Sequence, residues 1–197
     1  RNGTHASTHL HPLSVPWGVR TVIAYPELRA VAAAAGLAPA VISLTSLAED
    51  RARVAMDDAR PIYPASMIKV PLALAAALAA ETSRTGWYEP VVVDEADMTF
   101  TDAPSPLEPG YECTVRELVE LMITRSDNVA TNVLMDHLDR GLATADVVAA
   151  GYPQTAFRRK LSGRLPLIDD RKATGRNTHP AREAAALFEA IARGRVP

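Results

Sequence analysis

The sequence predicts an α+β fold in which a large helical part is joined to an incomplete antiparallel sheet, an N-terminal hairpin only. Three observations point there. An alternating, β-branched run, Ala40-Val41-Ile42-Ser43-Leu44-Thr45-Ser46-Leu47, is followed across a polar turn at Glu49-Asp50 by Ala52-Arg53-Val54-Ala55-Met56, which is hairpin patterning. The longer apolar stretches after it recur at helical spacing. At 197 residues, with 48% apolar and 22% charged residues, the chain can bury a core around those helices.

The elements follow in order. Residues 1–20, rich in His, Pro, Ser and Thr and without periodicity, form an irregular lead-in to one domain over 21–197. In that domain an N-terminal helix and hairpin occupy 26–57, and a helical part occupies 64–197. The first helix runs from Pro26 to Ala35, with proline in its first turn and Gly36 as its stop. An Ala/Leu-rich helix covers about 66–80. Residues 84–110, punctuated by Gly86, Pro90, Pro104, Pro106, Pro109 and Gly110 around Val91-Val92-Val93, form a surface stretch that shapes an opening. Thr114 with Glu117 three residues on is a capping box, opening a helix with the stripe Leu118, Leu121, Met122. That pattern breaks at Ser126-Asp127-Asn128. Helices resume over Val129–Leu138 and Ala143–Ala150, the latter closed by Gly151. Residues 151–177 lack periodicity and form a long surface loop. A last helix begins near Thr178-His179-Pro180 and carries Ala184, Leu187, Phe188 and Ile191.

Composition excludes several function classes. A net charge of −2 argues against nucleic acid or an anionic membrane surface as a partner, and the run Arg158-Arg159-Lys160 reads as a solvated loop. No apolar run of about eighteen residues exists, so no membrane span is expected. The single Cys113 permits no internal disulfide, and one cysteine with five histidines makes a zinc cluster unexpected; no cofactor is called for. The chain opens on Arg1 rather than Met, and the expectation is that a preceding segment has been removed.

The chemistry centres on Ser66 and Lys69. Residues at i and i+3 of a helix share a face, so the serine and the lysine are neighbours there. A serine hydroxyl needs a base to take its proton, and a lysine can be that base where burial lowers its pKa. The apolar run Val70-Pro71-Leu72-Ala73-Leu74 offers such surroundings. Ser-x-x-Lys alone is a frequent chance pattern, and Ser-Asp-Asn alone reads as helix capping.

Together, sixty residues apart, Ser66-x-x-Lys69 and Ser126-Asp127-Asn128 resemble two signatures of class A β-lactamases and penicillin-binding proteins. The order helix, hairpin, Ser-x-x-Lys helix, irregular stretch, Thr-capped helix and Ser-Asp-Asn is similar to that family over about residues 24–197. The resemblance implies a β-lactamase/transpeptidase-like fold and a serine hydrolase acting on cyclic amides. Ser66 would be the nucleophile, Lys69 its base and Ser126 the proton relay to the leaving nitrogen. Asn128 would bind the substrate acylamide, and Asp127 would hold the loop. The implied partner is a small-molecule β-lactam or a peptidoglycan stem peptide, and the implied location is periplasmic or secreted. The activity expected first is β-lactam hydrolysis; penicillin-binding D,D-peptidase-like activity, or non-catalytic sensing of β-lactam or peptidoglycan, is the alternative.

Two departures qualify it. The loop glutamate that frees the acyl-enzyme in class A enzymes has no counterpart: no glutamate lies between Glu120 and Glu183. Its place falls near Lys160-Leu161-Ser162-Gly163, and Asp169 and Asp170 are the only loop carboxylates left as deacylation candidates. The Lys-Thr-Gly edge strand is also missing, since Lys172-Ala173-Thr174-Gly175 precedes the last helix. The sheet is thereby left incomplete, which predicts a truncated chain or a second segment that completes it, against a naturally shortened homologue.

Overall fold

The computed structural model describes residues 22–23, 26–37, 39–48 and 53–197, so the expected lead-in over 1–20 and the turn at Glu49-Asp50 lie outside the described residues. Strands β2 (Ile42–Thr45) and β3 (Arg53–Met56) pair antiparallel, with Leu44 opposite Val54. The hairpin has a further partner that sequence reading missed: β1 (Val22–Ile23) runs parallel to β3 on its other side, giving the order β1-β3-β2. Two residues are too few to display an alternating period. Helix α1 (Pro26–Ala34) ends where Gly36 takes a left-handed φ of 71°, a conformation glycine adopts without steric penalty.

The nucleophile candidate does not open the α-helix directly. Ala65–Ile68 form a 3₁₀ turn, and α2 (Lys69–Glu81) follows without a break. Helix α2 is apolar on every side because it is central: Leu72, Ala75 and Ala76 are fully buried, and it packs against both α3 (Val115–Thr124) and α5 (Arg140–Ala149). Between α3 and α5 lies α4 (Asn128–His137). Leu118, Met122, Val133, Leu134 and Val147 complete the core.

Four expectations are corrected. The stretch 84–110 is not all irregular: β4 (Pro90–Val92) pairs antiparallel with β5 (Glu112–Thr114), a sheet whose strands are too short to announce themselves. Thr114 ends β5 and caps α3, its Oγ1 accepting from the Glu117 N–H at 3.2 Å. Glu117 does not close the reciprocal half of the capping box but accepts the Tyr111 hydroxyl. Helix α5 starts at Arg140 rather than Ala143, because the Asp139 carboxylate accepts from the N–H groups of Gly141 and Leu142.

The fourth correction concerns 151–177 and its basic run. Tyr152, Phe157 and Leu161 enter the core, and two buried amides satisfy the loop backbone. Asn177 accepts from the N–H groups of Arg158 and Arg159, and Asn132 accepts from that of Leu161 while donating to the carbonyls of Asp97 and Leu161. Lys160 is not solvated. Its Nζ lies 2.6 Å from the Asp97 carboxylate and 2.9 Å from that of Asp136. Burial pulls its pKa down, but the hydrogen bonds to Asp97 and Asp136 outweigh that and hold it above the ordinary lysine value. The last helix, α6 (Ala181–Ala192), packs against β2.

Lys160→Met is therefore expected to destabilise the protein by about 3–5 kcal/mol, since it strands the buried Asp97 charge. Adding Asp97→Leu should restore most of that loss. Chemical denaturation of both variants checks this; a single variant within about 0.5 kcal/mol of the parent would show that the pair carries no such weight.

Candidate active site

Ser66 stands exposed in the 3₁₀ turn, while Ile68 and Lys69 turn inward. The preceding Ala65 has φ +48°, which tips the turn so that Ser66 faces the junction of α3 and α4. At that junction Ser126 also takes a left-handed φ, +55°. Side chains with a Cβ disfavour this region by about 1–2 kcal/mol, and such residues gather at functional sites. Asp127 caps α4, its Oδ1 accepting from the Ala130 N–H at 2.9 Å.

Four oxygens surround the Lys69 ammonium. Nζ donates to the Ser126 carbonyl at 2.5 Å, Asn128 Oδ1 at 2.7 Å, Ser126 Oγ at 2.9 Å and Ser66 Oγ at 3.4 Å. Ser126 Oγ lies 3.2 Å from Ser66 Oγ. Residues from two motifs sixty positions apart thus form one polar cluster. Burial pushes the Lys69 pKa down to about 8, with Asp127 and then Asp102 opposing that shift. Lysine beside serine is in this way brought toward a proton-accepting range.

An open cleft of about 280 Å³ lies over Ser66. Tyr63, Ala65, Asp102, Asn128, Leu161 through Leu165 and Leu167 line it. Sequence reading missed Phe100, Asp102 and Arg164, and named Gly163 only within the stretch where the loop glutamate would fall. The Asn128 Nδ2 donates to the Phe100 carbonyl at 2.9 Å, and the Arg164 guanidinium lies 4.7 Å from the centre of the Phe100 ring. Gly163, at φ +62°, has no room for a side chain: a Cβ would sit 2.1 Å from the Phe100 carbonyl oxygen and 3.1 Å from Asn128 Nδ2. For its contact with Phe100 the sequence held no signal beyond a glycine inside the aperiodic loop.

The two loop aspartates part company. Asp169 is exposed and lies 3.7 Å from Arg171. Asp170 is held by Arg140 at 2.8 and 3.0 Å and accepts from the backbone N–H groups of Lys160 and Lys172. Burial raises its pKa, but Arg140 and these N–H groups prevail and hold it below the usual carboxylate value. An ionised carboxylate with both oxygens engaged is a loop anchor, poorly placed to take a proton from water. Among the described residues no His, Cys, Asp and Glu cluster could hold a metal.

A helical body with a Ser–Lys–Ser cluster at its edge and a small sheet beside it defines a β-lactamase-like serine hydrolase fold. The profile of the beta-lactamase enzyme family matches residues 24–197, and the chain belongs to that family. A search of curated proteins finds no match. Among solved structures the chain is similar to a beta-lactamase from Sphaerobacter thermophilus DSM 20745, at 26% identity and TM-score 0.66 over 85% of this chain and 61% of that one. PBP-A is similar in fold, at 24% identity and TM-score 0.67 over 87% of this chain and 63% of that one. A mutant of PBP-A has been solved as an acyl-enzyme complex with penicillin G. The ancestral (GNCA) class A beta-lactamase matches at 25% identity and TM-score 0.61 over 77% of this chain and 57% of that one. The chain spans about three fifths of the length of these structures.

Gly163→Ala is expected to cost at least about 2 kcal/mol, from its left-handed φ and the collision with the Phe100 carbonyl. Urea unfolding measures this; a loss below about 0.5 kcal/mol would mean that the Phe100 edge of the cleft shifts freely.

Proposed function

We propose that the protein is a penicillin-reactive serine acyl-transfer protein in which Ser66 is acylated by β-lactams or related D-alanyl amides and the acyl-enzyme is long-lived. The observation that carries this reading is the convergence of Ser66, Ser126 and Asn128 on one lysine whose pKa is lowered to about 8.

The chemistry follows from the geometry. Neutral Lys69 takes the Ser66 hydroxyl proton as Oγ attacks the amide carbonyl carbon. The 3.4 Å approach to Ser66 is the longest of the four, and a lone pair released on deprotonation reaches the serine along it. The Ser66 N–H, in the first turn, offers one donor to the developing oxyanion. As the C–N bond breaks, Lys69 returns the proton through Ser126 Oγ, 2.9 Å away, to the departing nitrogen. Asn128 binds the acylamide of the substrate.

Hydrolysis of the ester then needs a base for water. Asp170 is spent on Arg140, and Asp169 points to Arg171 in solvent. This favours penicillin binding over rapid β-lactam hydrolysis. Targets of that chemistry lie outside the cytoplasmic membrane, and we place the protein there as part of the same proposal.

Incubation with penicillin G should add one penicilloyl mass, mapped by peptide sequencing to Ser66 and absent from Ser66→Ala. Release should take minutes or longer, with no sustained turnover of a chromogenic cephalosporin. Turnover at more than about 1 per second would overturn the long-lived intermediate, and an adduct that survives Ser66→Ala would overturn the assignment of the nucleophile.

The pH dependence of acylation has a definite sign. Lys69 must be neutral, and its pKa near 8 lies below the ordinary lysine value. The rate should rise about tenfold per pH unit between about 6 and 7.5 and level off above about 8.5. A stopped-flow profile flat across that range would remove Lys69 from the base role.

A further inference from the structure

The cleft over Ser66 contains a charge that the acyl-transfer chemistry does not use. Asp102 lines it together with Asn128 and the 161–167 segment. The loop bearing it is tied down by its backbone: the Phe100 carbonyl accepts from Asn128, the Pro104 carbonyl accepts from Arg125 at 2.9 Å, and Thr101 Oγ1 donates to the Ala103 carbonyl. Asp102 is therefore held at a fixed place while its side chain is exposed to the cleft. The cations near it are otherwise engaged, Arg125 on the Pro104 carbonyl. Lys69 Nζ is turned toward Ser126 and Asn128, and Arg164 is laid over the Phe100 ring. Among the described residues Asp102 has no cation within ion-pair distance, although its field reaches Lys69.

We infer that Asp102 is a specificity residue of this cleft, the counter-ion for an ammonium group carried on the acyl side chain of the substrate. The inference rests on the acyl-enzyme reading above. If Asn128 holds the acylamide, the group attached to it passes beside Asp102, because both residues line the cleft and Asn128 is itself bonded to the Phe100 carbonyl two residues before Asp102. An α-ammonium there meets an unpaired carboxylate; an α-carboxylate meets the same charge with the wrong sign. Arg164 serves the selection by staying on the aromatic face, where a guanidinium is favourably held, instead of neutralising Asp102.

Three penicillins that differ at one position test it: ampicillin, with an α-ammonium near pH 6, penicillin G, with none, and carbenicillin, with an α-carboxylate. The second-order rate of Ser66 acylation should favour ampicillin over penicillin G by about fivefold and over carbenicillin by about twentyfold, the scale of one partly exposed ion pair formed or reversed in sign. Asp102→Asn should bring the three rates within about twofold, and Asp102→Lys should invert their order. Because removing that negative field also acts on Lys69, the rates are compared as ratios to penicillin G within each variant. Equal rates in the parent, or a preference that survives Asp102→Asn, would overturn the inference. A second measurement separates it from the reading beneath it. Equilibrium binding of ampicillin and carbenicillin to Ser66→Ala reads the charge preference without acylation. No penicilloyl adduct on the parent would defeat the acyl-enzyme reading, whereas equal affinities for the two charged penicillins would defeat the role of Asp102.

Discussion

A lysine ammonium brought out of water at the start of α2 is the constraint on which the site depends. An amine in low dielectric is costly unless every N–H finds an acceptor. Lys69 finds them on a different part of the chain, at Ser126 and Asn128, so satisfying it welds the front of α2 to the α3–α4 junction. The same burial that makes the ammonium costly holds the neutral amine within reach of ordinary pH, where it can accept a proton. Its folded pKa lies below the unfolded value, so the unfolded chain binds more protons between about pH 8 and the ordinary lysine pKa. Stability rises with pH through that window, and below about pH 8 the charged lysine is a full cost to the fold. The proposed base role and stability pull on this residue in opposite directions.

The backbone shows the same tension. Ala65, which precedes the proposed nucleophile Ser66, and Ser126, the proposed relay, both sit at positive φ without being glycine. Neither conformation would persist in an isolated peptide; the 3₁₀ turn and the Asp127 cap hold them. Behind them the loop 151–177 is fastened by buried charges, with Lys160 between Asp97 and Asp136 and Arg140 between Asp136 and Asp170. His179 adds a neutral anchor: its backbone N–H donates to the Ile62 carbonyl in the segment leading to Ser66, and burial lowers the pKa of its ring to about 4. A loop so fastened forms a stable wall for the cleft, but its aspartate is consumed in doing so. Holding the wall and activating water are competing uses of Asp170.

Much of this was legible beforehand, and the misses share a cause. Periodicity and caps located α1, α3, α4 and α6, because those signals are local. The family resemblance carried by the two motifs pointed to Ser66, Lys69, Ser126 and Asn128, whose side chains the fold gathers around one nitrogen. Strands β1, β4 and β5 were missed because two or three residues hold no period. Lys160 was misjudged because a basic triplet looks solvated unless its partners, Asp97 and Asp136, are known to arrive from elsewhere.

By itself the sequence determined which residue types face one another along a helix, where helices begin and stop, and that a serine and lysine share a turn. Such facts are set within a few positions of the chain. Tertiary structure alone decided that the lysine is dry, that Gly163 is pressed against the Phe100 carbonyl, that Asp170 is bound while Asp102 is free to face the cleft, and that Arg164 rests on Phe100. Each of these depends on desolvation or contact between residues distant in sequence, and neither quantity exists until the chain has folded.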